Sequence, residues 1–252
     1  MVKRLTELKK PQKGINPYRQ GIARILKIIR RQSIGMGSTP GVLSRSLSAY
    51  NEILGRRIEN IVLAMFSKRG AVDVLDVGSG TGYAMSELKK IVGDKANIVG
   101  INIAAFPRPE EINRHQDFYK EKYGKDFGRV KLLSANFWKF RKAFADHWVG
   151  LAEKHDFRGK KFDLIVSVAT IGASRYPFEA LENIINHLKP DGLAIIDVIM
   201  DPITGTVHYR QAIERVLTKA KSGGLKARLA GDILYIQRPK NLSNEQMNSL
   251  FG

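Results

Sequence analysis

The stretch Val74-Leu75-Asp76-Val77-Gly78-Ser79-Gly80-Thr81-Gly82-Tyr83 sets an acid and three alternating glycines between an apolar run and a segment of helical spacing. Glycine lets the backbone turn through conformations closed to other residues and lets a ligand approach it closely. The first N–H groups of a helix have no partner within that helix, so a helix start behind such a turn attracts polar or anionic groups. The pattern is therefore a nucleotide-binding turn. In the GxGxxG form used for dinucleotides the third glycine falls one residue later, where helix and strand pack closely. Here Tyr83 stands at that place.

Other chemistry is limited by residue types. The chain has no cysteine, which removes disulfides, thiolate metal sites and nucleophilic thiols. None of its five histidines is spaced as HxxxH, so no metal is expected. Ser174, Tyr176, Asp201, His208 and Tyr209 fall in loops expected at the carboxyl ends of strands, the rim where α/β sheets bind ligands. His208 is the best base by intrinsic pKa, with Tyr176 as a second catalytic candidate; an ordinary surface or capping histidine is the plainer reading. Phe137, Phe140, Phe144 and Trp148 recur at steps of 3, 4 and 4. That spacing reads as the buried stripe of a helix, although an aromatic face beside Lys139, Arg141 and Lys142 can also stack bases.

The elements that must carry these residues follow from periodicity. Short β-rich runs at Asp73 to Val77, Asn97 to Ile103, Val130 to Ser134, Phe162 to Val168 and Leu193 to Ile199 alternate with helical segments at Tyr83 to Val92, Pro109 to Tyr123, Trp138 to His155, Pro177 to Leu188 and Val207 to Ser222. This is the pattern of a parallel sheet covered on both faces. Leu225 to Leu229 and Asp232 to Gln237, separated by Ala230-Gly231, read as a hairpin. The expected fold is α/β, doubly wound and Rossmann-like, with a seven-stranded, mostly parallel sheet, a C-terminal antiparallel hairpin and an N-terminal helical extension.

Ahead of the sheet, Leu47, Tyr50, Leu54, Ile58, Ile61 and Met65 predict one helix starting near Ser44 or Ser46 and closed by Gly70. Asn16-Pro17 opens a shorter helix with Ile22, Ile25 and Ile29 on one face and Arg24, Lys27, Arg30 and Arg31 on the others. Gly35 to Gly41, with three glycines and Pro40, breaks it. The domain plan is a basic tail at 1–15, a helical extension or cap at 16–70, the sheet domain at 71–240 and a tail at 241–252.

Charge is placed as unevenly as the motifs. The formal net charge is +18, and residues 1–50 hold eleven basic side chains against Glu7 alone, a net of +10. Such a block attracts a polyanion, either nucleic acid or an anionic membrane surface, or serves as a solvated arm. No run of about 18 apolar residues occurs, and the N-terminus lacks a signal-like apolar stretch. A cytoplasmic protein is expected.

Asp76 with its GxGxG turn resembles the first motif of class I S-adenosylmethionine-dependent methyltransferases, and Leu188-Lys189-Pro190-Asp191-Gly192-Leu193 is similar to that family's turn into the fifth strand. The resemblance runs from about Val72 to Gln237 and implies S-adenosylmethionine as cofactor. It implies that Asp76, Gly78, Ser79, Gly80, Thr81 and Gly82 hold the methionine part. It sets Asn102, beside Ile103, where an acid usually binds the ribose hydroxyls, and Asn136, beside Phe137, at the adenine; Ser167 closes the fourth strand. Asparagine accepts a hydrogen bond but lacks the charge that strengthens it, and both asparagines are equally ordinary turn residues. The Asn/Asp-Pro-Pro-aromatic motif of base-amino methylation is missing from Ser167-Val168-Ala169-Thr170-Ile171-Gly172. The leading reading is a methyltransferase whose basic arm recruits RNA, with a small-molecule enzyme under a helical cap as the alternative and a non-catalytic RNA-binding module as a third reading.

Overall fold

The computed structural model describes residues 46–80, 82–102, 147–168, 170–171, 174, 176–198 and 207–251. The expected tail at 1–15, the helices at 16–31 and 109–123, the strand at 130–134 and the aromatic positions Phe137, Phe140 and Phe144 lie outside them. In chain order the elements are α1 (Leu47–Leu54), α2 (Ile58–Arg69), β1 (Val72–Val77), α3 (Tyr83–Val92), β2 (Ala96–Asn102), β3 (His147–Val149), β4 (Phe162–Ser167), α4 (Pro177–Asn186), β5 (Leu188–Asp197), α5 (Val207–Ser222), β6 (Lys226–Ala230), β7 (Ile233–Gln237) and α6 (Asn244–Phe251).

The strands form one sheet in the order β3-β2-β1-β4-β5-β7-β6. β1 to β5 pair in parallel, and β7 runs antiparallel to both β5 and β6. Central strands are buried on both faces, so their side chains divide between two apolar layers. Leu75, Val77, Ile165, Ile196 and Leu234 pack with Ile184 of α4, Ile213 of α5 and Phe251 of α6. Val74, Ile98, Val166 and Ile195 pack with Leu54 of α1, Ile58 of α2 and Leu88 of α3. Each fully buried Leu or Ile contributes roughly 1.5–3 kcal/mol, and no helix among the described residues is long and apolar enough to cross a membrane. The doubly wound arrangement expected from the sequence is present.

Three expectations are corrected. Six of the seven expected strands fall among the described residues, and the sheet edge beyond β2 is β3, cut from a segment read as the end of a helix through His155. Trp148 therefore belongs to a strand and not to an aromatic helix face. It is buried, stacks on His155 with centroids 5.4 Å apart, and meets Phe157 and Phe162 at 6.4 and 6.3 Å. Partners beyond its own segment, together with Gly150 immediately after the strand, override the 3-and-4 spacing.

The single helix expected from Ser46 to Gly70 is two. Gly55 adopts the left-handed conformation (φ 64°), and its N–H bonds the Asn51 carbonyl. The Asn51 side chain then accepts from the Ile58 N–H at 2.9 Å, starting α2, and donates to buried Glu59 at 2.8 Å. The apolar step from Leu54 to Ile58 hides this break because it equals one helical turn. A Cβ on Gly55 meets nothing within 4 Å, so Gly55→Ala should cost only the left-handed backbone penalty, about 1 kcal/mol. Urea unfolding checks this, and an unchanged midpoint would contradict the assigned cap.

Finally, the segment read as a tail at 241–252 carries α6. Ser243 and Gln246 cap each other, the Gln246 N–H bonding Ser243 Oγ at 3.2 Å and the Ser243 N–H bonding Gln246 Oε1 at 2.8 Å. Met247 and Phe251 are buried. Arg238, 1 % exposed, fixes the preceding turn by donating to the Leu188 and Leu242 carbonyls at 2.7 and 2.6 Å.

Candidate cofactor site

β1 delivers Asp76 and Val77 to the centre of the sheet, where Asp76 lies between Gly100 of β2 and Val166 of β4. The chain then turns through Gly78 (φ 78°), Gly80 (φ 55°) and Gly82 (φ 73°), all left-handed, so each of these positions favours glycine. The Gly78 and Ser79 N–H groups both bond the Ile101 carbonyl, at 2.8 and 3.2 Å, which bends the turn onto β2. Gly82 caps α3 with no side-chain hydrogen bond, and a helix N-terminus of this kind suits a polar or anionic group. This is the strand-to-helix crevice expected from the glycine spacing.

The crevice is polar at its base and closed by β4. Asp76 is fully buried, and Tyr50 of α1 donates its hydroxyl to the carboxylate at 3.0 Å from Oδ2 and 3.2 Å from Oδ1. Ser167 Oγ donates to the Val77 carbonyl at 3.0 Å, holding β4 to the end of β1. Ser79 Oγ is buried with no hydrogen-bond partner among the described residues. An unpaired buried hydroxyl costs roughly 1–3 kcal/mol, and a bound polar ligand supplies the missing partner.

Sequence reasoning missed Tyr50, Glu87 and Thr170. Glu87 of α3 accepts the Leu47 N–H of α1 at 2.7 Å. Burial, then the charge of Glu87 and its hydrogen bond, push the Tyr83 phenol up to about 12, so it stays neutral at physiological pH. Thr170, after β4, lies where a Cβ on Gly78 would point, 1.8 Å from Thr170 Oγ1. The capping pattern of α1 gives no hint that Tyr50 faces Asp76, because the two are joined only by the packing of α1 on the sheet.

The remaining sequence candidates divide plainly. Asn102 ends β2, next to β1, with its side chain outside the described residues; Thr81, Ile103, Asn136, Phe137, Asp201 and His208's and Tyr209's side chains also lie outside them. His208 belongs to the first turn of α5. Tyr176 is 41 % exposed at the start of α4, its backbone N–H bonding Ser174 Oγ at 3.1 Å. α4 follows β4 and α5 follows β5, so both helix starts stand at the carboxyl rim of the sheet.

A family model described as a methyltransferase domain matches residues 20–237. The chain belongs to the class I S-adenosylmethionine-dependent methyltransferase family. Among curated proteins it is 27 % identical over 165 residues to an arsenite methyltransferase of Aquipseudomonas alcaligenes, which covers 65 % of this chain and 43 % of that protein. The chain thus spans less than half the length of that relative. Among solved structures, the CurJ carbon methyltransferase matches with a TM-score of 0.47 at 15 % identity, covering 77 % of this chain and 56 % of that one. The magnesium protoporphyrin IX methyltransferase of Synechocystis matches with a TM-score of 0.44 at 13 % identity, over 90 % of this chain and 100 % of that one. S-adenosylmethionine is the cofactor of the family, and the residues present fit its amino-acid end. A buried carboxylate suits an ammonium group, the left-handed glycines admit close approach, and the buried Ser79 hydroxyl, without a partner among the described residues, suits a carboxylate.

Proposed function

We propose that this chain methylates a small-molecule acceptor seated over the carboxyl ends of β4 and β5, using S-adenosylmethionine held in the turn between β1 and α3. The observation that carries the reading is the turn itself: three left-handed glycines beside buried Asp76 and a Ser79 hydroxyl that has no partner among the described residues. Asp76 accepts from the ammonium group of the methionine part. The backbone at Gly78, Gly80 and Gly82, with Ser79 and Thr81, holds that end against α3. Asn102 and Ile103 take the ribose side, Asn136 and Phe137 the adenine side, and Ser167 fixes the floor between β1 and β4.

The bound cofactor supplies a methyl carbon already activated by positive sulfur, so alignment and exclusion of water are the main tasks left to the protein. The turn sets the direction of the methyl group, and the loops after β4 and β5 set that of the acceptor. His208 and Tyr176 are the groups at that rim suited to take a proton from the acceptor.

A small molecule is favoured because the extension touches the site: α1 meets Asp76 through Tyr50 and α3 through Glu87, which supports reading that extension as a helical cap. The relative's named substrate does not carry over easily. Trivalent arsenic is a soft centre suited to thiolates, and this chain has no cysteine. RNA is the second reading, favoured by the net +10 of residues 1–50. Transfer of labelled methyl groups into cell extract, fractionated into RNA, protein and small molecules, separates the two. Label among small molecules is the expected result. Label in RNA that disappears when residues 1–32 are removed would replace it with the recruitment reading. Calorimetry that stays silent at millimolar S-adenosylmethionine would favour the non-catalytic module and overturn the enzyme.

A further inference from the structure

Resting on that cofactor assignment, we infer that Tyr50 is a positioning residue of the cofactor site: its hydroxyl fixes the Asp76 carboxylate for the amino-acid end of the cofactor, so tight binding requires α1 to be seated. Asp76 is completely buried and Tyr50 is 3 % exposed. A buried carboxylate is tolerated only where donors compensate its lost hydration, and the Tyr50 hydroxyl, 3.0 and 3.2 Å from the two oxygens, is such a donor. A single hydroxyl hydrogen shared between two acceptors orients the carboxyl group.

The same helix grips the other side of the turn. Ser46 Oγ accepts from the Ala49 N–H at 3.2 Å, and Glu87 of α3 accepts from the Leu47 N–H at 2.7 Å, so the start of α1 is tied to the helix that begins at Gly82. At its far end, Tyr235 of β7 donates to the Leu54 carbonyl at 3.2 Å. These bonds, with buried Leu47, Ile53 and Leu54, set the height of Tyr50 above β1. Displacing α1 would draw the donor from Asp76 and the N–H from Glu87 together, loosening both walls of the turn.

Tyr50→Phe keeps the ring and removes only the hydroxyl. Binding to the full chain is measured by calorimetry with S-adenosylmethionine, S-adenosylhomocysteine and methylthioadenosine, which lacks the amino-acid end. The expected result is a loss of about tenfold for the first two, the size of one hydrogen bond to a charged group, with methylthioadenosine unchanged. In an Asp76→Asn background the same substitution should cost much less, because the two act through one contact. Equal loss for all three ligands would show that Tyr50 only supports the fold, and no loss for any would show that its hydroxyl is idle; either overturns the inference. If Asp76→Asn does not fold, the contrast between ligands decides alone. Failure of the wild-type chain to bind any of the three would instead refute the cofactor assignment.

Discussion

Gly78→Val is expected to abolish cofactor binding while the sheet still folds. At φ 78° a branched residue carries a left-handed backbone cost of roughly 1–2 kcal/mol. The larger effect is steric. A Cβ at this position would stand 1.8 Å from Thr170 Oγ1, 2.4 Å from its Cγ2 and 2.5 Å from its Cβ, and the clash involves the root of a short side chain, which cannot swing aside. The turn or the loop after β4 must move. Because the Gly78 and Ser79 N–H groups share the Ile101 carbonyl, moving the turn also releases it from β2. A displacement near 1 Å at a positioning site costs about a hundredfold in rate, and this change also removes the fit from both sides of the turn, so methyl transfer should fall by at least that factor and binding should be lost with it. Calorimetry and labelled-methyl transfer measure it, with circular dichroism to verify the fold. Thr170→Ala is the control, since it leaves the turn's backbone bonds in place. Wild-type affinity in the valine variant would mean that the cofactor does not sit in this turn.

The second large effect lies at the opposite end of the sheet. Asp163, with its side chain 3 % exposed, accepts from the Asp73 N–H at 2.8 Å and pairs with Arg69 and with Lys189, the latter at 2.9 Å. Lys189 also pairs with Asp73, and Arg69 reaches the Asp191 carbonyl at 2.8 Å. The motif running from Leu188 to Leu193 thus ties the carboxyl end of α2 to the amino ends of β1, β4 and β5, away from the glycine turn. Asp163→Ala leaves the Asp73 N–H and two cations short of their acceptor. Breaking a buried pair costs about 3–5 kcal/mol; with Lys189 about a third exposed, screening reduces this to about 2–3 kcal/mol, a fall in Tm of roughly 5–10 °C.

The pH dependence of that loss has a definite sign. Burial alone would raise the Asp163 carboxyl, but the Asp73 N–H, Lys189 and Arg69 outweigh it and hold the group below the usual carboxylate range. A depressed folded-state value contributes stability that is complete above the unfolded value, near pH 4, and is lost as pH falls through the folded one. The gap between wild type and Asp163→Ala should therefore be constant from neutral pH to about pH 5 and shrink in more acid solution. Urea unfolding at a series of pH values checks this; a gap that widened in acid would contradict the ionised assignment.

Much of this arrangement was legible in the sequence because it is set by neighbours along the chain. The helices starting at Tyr83, Pro177 and Val207 begin where period and flanking residues place them, and the glycine turn forms between the strand and helix that bracket it. Where two structures share one local pattern, the reading failed. The step from Leu54 to Ile58 is one helical turn whether or not Gly55 interrupts it, and Trp148 continues a helical spacing yet sits in an edge strand. The Ser243–Gln246 capping box is a local helix-start signal inside the stretch whose composition suggests a tail.

By itself the sequence determined the α/β class, the position and chemistry of the glycine turn, and the family those residues resemble. Such features depend on side-chain period and backbone preference, which act over a few residues. Only the tertiary structure decided that Tyr50, 26 positions before Asp76, supplies a donor to it, that Thr170 closes on Gly78, and that Arg69, Asp163 and Lys189 meet at the amino ends of the strands. The strand order and the seating of α1 bring those groups together. A buried charge has no local sequence signature of its partner, because the donor that offsets its desolvation can come from any element the fold carries within about 3 Å.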